Sequence, residues 1–220
     1  MLSVIIGAII AVLVAISVEY LRRPSLTLFV ETPPYDGQYA DRPATNVRFV
    51  RVKLFNQPLN SWARWMLRGP ALQCRGAISF HHLDGQNVFG RVMDARWSGS
   101  PEPVPIQAIT PTGQQFQIFD PTRLTAQSRI DVYPGESELL DIAGRYDNET
   151  ECYGWNNETY RCATPWRNPD WQLPSGRYLV RVVISSSDQK CVGIFRLIND
   201  VNRTDFRLEP ATPEDRLKVT

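Results

Sequence analysis

The side chains able to do chemistry fall into three groups: a histidine pair, four cysteines, and an aromatic and oxygen-rich stretch between Gly144 and Pro174. The only two histidines are adjacent, in His81-His82-Leu83-Asp84. With Asp84 as partner, either ring could bind a metal or move a proton. On a strand, however, the two rings point to opposite faces and cannot chelate one ion together. Both precede an Asp-Gly turn, and nothing else needed for acid–base or metal chemistry lies nearby in sequence. They read as surface histidines.

Cys152 and Cys162 have nine residues between them in one irregular stretch, a separation that a disulfide can close. Cys74 and Cys191 each fall on a predicted strand and could meet across the core. In an oxidising compartment the expected pairs are Cys152–Cys162 and Cys74–Cys191. In a reducing one all four are free thiols, with Cys74 and Cys191 acting as small core hydrophobes. No Cys-x-x-Cys occurs, so neither a zinc site nor a dithiol redox motif is supported.

The stretch 144–174 holds an imperfect duplication, Asp147 to Tyr153 and Asn156 to Cys162. Its hard oxygen donors (Asp147, Glu149, Glu151, Asn156, Asn157, Glu158) are of the kind that hold calcium. Their spacing does not follow the EF-hand pattern, and they read as solvated loop residues; no metal or cofactor is expected. Three of the six tryptophans, Trp155, Trp166 and Trp171, lie here with Tyr153 and Tyr160. Such rings give much contact area for few rotatable bonds, so the loop is a recognition surface for a protein or a glycan. The competing reading is that the loop folds back and its rings pack over the sheet. Trp62 and Trp65 with Arg64 and Arg68 form a second, smaller patch, suited to a membrane interface or to the core.

Enzyme signatures are missing: there is no Gly-x-Ser-x-Gly, phosphate-binding glycine loop or His-Glu-x-x-His. Carboxylates such as Asp94, Glu138 and Asp141 are scattered. Lys plus Arg (24) nearly balances Asp plus Glu (23), a formal net charge of +1, which gives no reason to expect nucleic acid as a partner.

These groups need elements to position them. Met1 to Val18 carries no charged side chain. As a helix this run spans roughly 27 Å, close to the hydrocarbon thickness of a bilayer. Tyr20 supplies an interfacial aromatic, and Arg22-Arg23 a charged stop. The absence of a basic residue before the apolar run favours an uncleaved anchor, residues 1–21, over a signal peptide, although Ala15-Ile16-Ser17 is a small-x-small site. A cell-membrane location with one pass follows. Positive charge flanks the helix only on its C-terminal side, which favours a cytoplasmic domain. The cysteines and three sequons, at Asn148, Asn157 and Asn202, favour the opposite side.

Beyond Pro24 the pattern changes to short alternating runs. Strands are expected at Ser25–Val30, Val47–Phe55, Leu72–Phe80, Val92–Trp97, Gln115–Phe119, Arg129–Tyr133, Glu138–Ala143, Arg177–Ser185, Cys191–Ile198 and Thr204–Leu208. A helical turn is expected near Ser61–Arg68, and a frayed polar tail over 209–220. Short strands with frequent turns and almost no helical period imply a mainly β chain over 22–208, an antiparallel β-sandwich. The closing strand pair after a glycine-containing turn resembles that of immunoglobulin-like modules. The resemblance extends to architecture alone, because the Cys–Trp–Cys spacing of immunoglobulin domains is absent. The expected function is that of a membrane-anchored, non-catalytic binding or structural module. The alternative is a carbohydrate-active or other hydrolytic enzyme on the same scaffold, which would need a concave pocket with convergent carboxylates or a histidine.

Overall fold

The computed structural model describes residues 2–37, 46–63, 65–102, 106–118, 129–162, 166–187 and 189–219, without the side chains of 2, 62, 106–108 and 115–118. The apolar run forms one helix, α1 (Leu2–Arg22), long and apolar enough to cross a membrane by length and composition. None of that span is buried against the rest of the chain.

The remainder is built on two antiparallel sheets. The first runs in the order β1 (Leu26–Val30), β3 (Val47–Asn56), β10 (Ser137–Tyr146), β11 (Cys152–Gly154), β12 (Gln172–Leu173). The short β2 (Tyr35–Gly37) pairs with β3, and β6 (Arg96–Trp97) with β10. The second runs β15 (Arg207–Pro210), β14 (Lys190–Asn199), β13 (Gly176–Ser185), β4 (Ala71–His81), β5 (Met93–Asp94), with β9 (Ile130–Val132) also on β4. A separate hairpin joins β7 (Ile106–Ile109) and β8 (Gln115–Ile118).

Alternation decides which side chains meet. Val50, Val52 and Leu54 of β3, with Leu140 and Ile142 of β10, share one buried cluster with Ile78 and Phe80 of β4 and Val180, Val182 and Ile184 of β13. The predicted outward residues Arg51 and Lys53 stay at least partly exposed. The hydrophobic core is therefore the space between the two sheets.

Several expectations need correction. Val92–Trp97 is not one strand: Met93 and Asp94 pair with Ile78 and Ala77, whereas Arg96 and Trp97 pair with Asp141 and Leu140. The chain changes sheets at Ala95, whose N–H donates to Gly76 O at 3.0 Å. The small residue at Gly76 permits this, since a Cβ there would stand 2.8 Å from that of Ala95. Leu72 is exposed because Gln73 adopts φ 52° and shifts the β4 register, which turns Ala71 inward in its place while Cys74 stays inward as expected. Strand β10 continues to Tyr146, three residues into the expected loop, after a bulge between Asp141 and Ala143. The tail is ordered rather than frayed: β15 ends at Pro210, and Thr212 caps helix α2 (Pro213–Lys218) with a reciprocal Thr212–Asp215 capping box.

The junction between α1 and the sheets is closely held. Arg22 O accepts from Gly69 N at 2.6 Å and Arg23 O from Arg68 Nη1 at 3.1 Å, while the Gln189 side-chain amide donates to Pro24 O. Ser25 N donates to the buried Asn56 side chain at 3.1 Å.

Candidate functional site

The stretch after Tyr146 folds back over the outer face of the first sheet. Val47 and Phe49 of β3, opposite in sense to Val50 and Val52, form a second buried cluster with Tyr146, Tyr153, Trp155 and Tyr160. Trp155 stands edge-on to Phe49 with centroids 4.7 Å apart, and Tyr160 edge-on to Trp155 at 5.9 Å. Asn156 and Thr159 form a reciprocal capping box on the short 3-10 helix Asn157–Arg161. Trp171 joins the main core, edge-on to Phe89 at 5.0 Å, and Trp166, with φ 61°, keeps only part of its ring exposed. Of the five candidate rings, Tyr153, Trp155, Tyr160 and Trp171 are buried. Burial also raises the phenol pKa of Tyr153 to about 12 and pushes that of Tyr160 up.

The carboxylates and amides of the duplication do not converge on a cation. Asp147 pairs with Arg203 at 2.5 Å, Glu149 pairs with Arg167, Asn157 accepts from Arg96, and Glu158 accepts from Asn156. Among the described residues, no group of three or more His, Cys, Asp or Glu is placed to hold a metal ion. His81 is held by Gly85 O and Ser79 Oγ, each at 2.9 Å, and Asp84 accepts from Gln86 N. These residues build the turn after β4, and His82 lies 6.0 Å from the Tyr178 ring.

All four cysteines stand as free thiols in this structure, the arrangement expected of a reducing compartment. Cys74 and Cys191 do not face each other across the core. They lie on strands of the same sheet with β13 between them, Cys191 opposite Ile184 and Ile184 opposite Gly76. Two strand spacings are roughly 9.5 Å, beyond the reach of a disulfide. The Cys74 Sγ contacts Ala71 O and the Cys191 Sγ contacts Leu26 O, while that of Cys162 contacts Glu158 O and Cys152 is buried in the core. Burial raises the Cys74 thiol to about 11 and pushes Cys152 higher still.

The candidate site emerges where the folded-back loop meets β4 and β5. A cleft of about 510 Å³ opens there, lined by Arg75, Arg91, Arg129 and Arg161, by the acids Asp94 and Glu158, and by Trp171. Arg75 pairs with Asp94 at 2.7 Å, and Arg91 pairs with Asp170 at 3.3 Å while its guanidinium lies 4.5 Å from the centre of the Trp171 ring. Arg129 donates to Gln73. Arg75 and Asp94 are at least half exposed, as are Arg91 and Asp170, so water screens both pairs and little energy is needed to exchange them for a ligand. Sequence reasoning missed this cluster. Alternation along β4 places Arg75 outward, but the strand order and loop path that bring Arg91, Arg129 and Arg161 beside it leave no local signal. Asp141, by contrast, is buried, with Arg51 and Ser98 each at 2.7 Å from Oδ1, and serves the sheet.

Comparison with protein-family models, curated proteins and solved structures yields no match.

Proposed function

We propose that the chain is a single-pass protein of the cell membrane whose cytoplasmic domain is an immunoglobulin-like β-sandwich acting as a non-catalytic binding module. Its contact surface is the arginine-lined cleft beside the aromatic loop, and its partner presents an acidic protein segment. The observation that carries the reading is the convergence of four arginines on one open cleft against two acids. Guanidinium groups are suited to bidentate recognition of carboxylates. In the cleft Asp94 pairs with Arg75 and Glu158 accepts from Asn156.

The immunoglobulin-like reading draws on strand order. The sequence β1-β3-β10-β6 corresponds to strands A-B-E-D, and β4-β13-β14 to C-F-G. Tyr178, near the start of β13, donates its hydroxyl to Pro174 O at 3.0 Å, the bond that defines a tyrosine corner. The cytoplasmic placement draws on Arg22-Arg23, the positive charge that flanks the apolar helix.

The test is copurification from native membranes in a mild detergent. The wild type should carry a partner at fixed stoichiometry, and the charge reversal Arg91→Glu/Arg161→Glu should lose it without a change in unfolding midpoint. A partner that survives the reversal puts the contact elsewhere, and a wild type that carries none removes the reading.

A further inference from the structure

We infer that the β3–β4 loop, residues 57–70, is a second membrane-contacting element, with Trp65 and Leu67 seated in the lipid headgroup layer beside the end of α1. The inference rests on the reading that α1 spans a bilayer.

Position comes first. A 21-residue helix is about 31 Å long, so Arg22, its last residue, reaches the edge of the hydrocarbon when the apolar run fills it. The loop is fixed at that level, because Gly69 N donates to Arg22 O at 2.6 Å and Arg68 Nη1 to Arg23 O at 3.1 Å. Leu67 is two residues from Gly69, so their Cα atoms are separated by no more than about 7 Å. The headgroup region on each face of a bilayer is of similar depth, about 5–8 Å.

Chemistry agrees with position. Within the loop Ala63 and Met66 turn inward and are buried, and Met66 N closes a turn on Ala63 O. Trp65 and Leu67 turn outward, each 78% exposed, among the most exposed large apolar side chains beyond α1. Tyr133, 53% exposed, occupies the turn after β9 at the same end of the domain, where Gly135 N donates to Asn56 O. Tryptophan and tyrosine favour the membrane interface, and arginines such as Arg22, Arg23 and Arg68 suit the headgroups. A phospholipid surface is therefore the occupant that this patch fits, in continuity with the helix.

The test uses the full chain in vesicles of phosphatidylcholine with a minority of phosphatidylglycerol, prepared with and without lipids brominated on the acyl chain near the headgroup. Trp62→Phe serves as the background, so that its neighbour's emission does not interfere. In that protein bromination should quench part of the tryptophan emission, and adding Trp65→Phe should remove the quenchable fraction. Flotation after alkaline extraction reads α1 independently. A protein that floats but shows the same quenching with and without Trp65 overturns the loop contact and leaves the anchor standing. A protein that does not float overturns the anchor, and this inference with it.

Discussion

The indole of Trp155 meets the ring of Phe49 at 88°, with centroids 4.7 Å apart, and so clamps the loop after β10 to the outer face of the first sheet. Trp155 is 3% exposed, and its replacement by Ala leaves a hole that neighbours on a sheet cannot close. The expected cost is about 3–5 kcal/mol. Trp166→Ala, at a ring only partly buried against that cluster, should cost less than half as much. Urea unfolding followed by circular dichroism measures both, and equal losses would mean that the loop is held elsewhere.

Asn56 is the second structural prediction. Its buried side chain accepts from Ser25 N and donates to Gly69 O at 3.2 Å and Val132 O at 3.0 Å, joining the post-helix linker, the β3–β4 loop and β9. Asn56→Ala strands those buried groups and should destabilise by about 3 kcal/mol. Asn56→Leu, which restores volume but no polar atoms, should not rescue it. A loss below about 1 kcal/mol would show that water replaces the side chain.

Thiol chemistry separates the cysteines by place. In the native protein Cys162 and Cys191, both partly exposed, should alkylate slowly, whereas Cys74 and Cys152 should react only after unfolding. All four should be modified without a reductant. In intact cells a membrane-impermeant reagent should label nothing until lysis. Labelling that needs reduction but not lysis would place the domain outside and establish disulfides.

The acid limb of stability should depend on Asp36. Arg48, bonded through two guanidinium nitrogens at 2.8 and 2.9 Å, holds its carboxyl below the ordinary 3.8, and Arg203 adds to this. A depressed folded-state pKa gives stability that is present above the unfolded value and is lost as pH falls through the folded one. Asp36→Asn should cost under about 1 kcal/mol near neutrality, because the pair is partly exposed. The variant and wild-type urea midpoints should converge as pH drops below about 3.8. Parallel curves would mean that the network adds nothing.

Where side-chain alternation is regular the fold was legible. Val47–Asn56 and Gly176–Ser185 lie one residue from their expected bounds, because inward β-branched residues alternate with outward cations. Legibility failed where the backbone departs from period two. The β4 bulge turns Leu72 outward, the β10 bulge hides the strand's last residues, and a crossing at Ala95 divides a run that reads as continuous. Strand β7, only four residues long and directly following the proline-rich run 98–105, gave too little pattern to be anticipated. The cysteine pairing and the arginine cleft were out of reach for a different reason: both depend on which strands become neighbours, and no local pattern encodes that.

The bonds that hold Arg22, Arg23 and Pro24 have a rotational consequence. A helix advances about 100° and 1.5 Å per residue, so one alanine inserted ahead of Arg22 would turn the whole β domain by more than a quarter of a circle about the axis of α1. Its lift would be only about 1.5 Å. The compass bearing of the arginine cleft is thus geared to the rotation of α1 about its own axis, and a neighbour that grips one face of α1 also sets the direction in which the cleft looks.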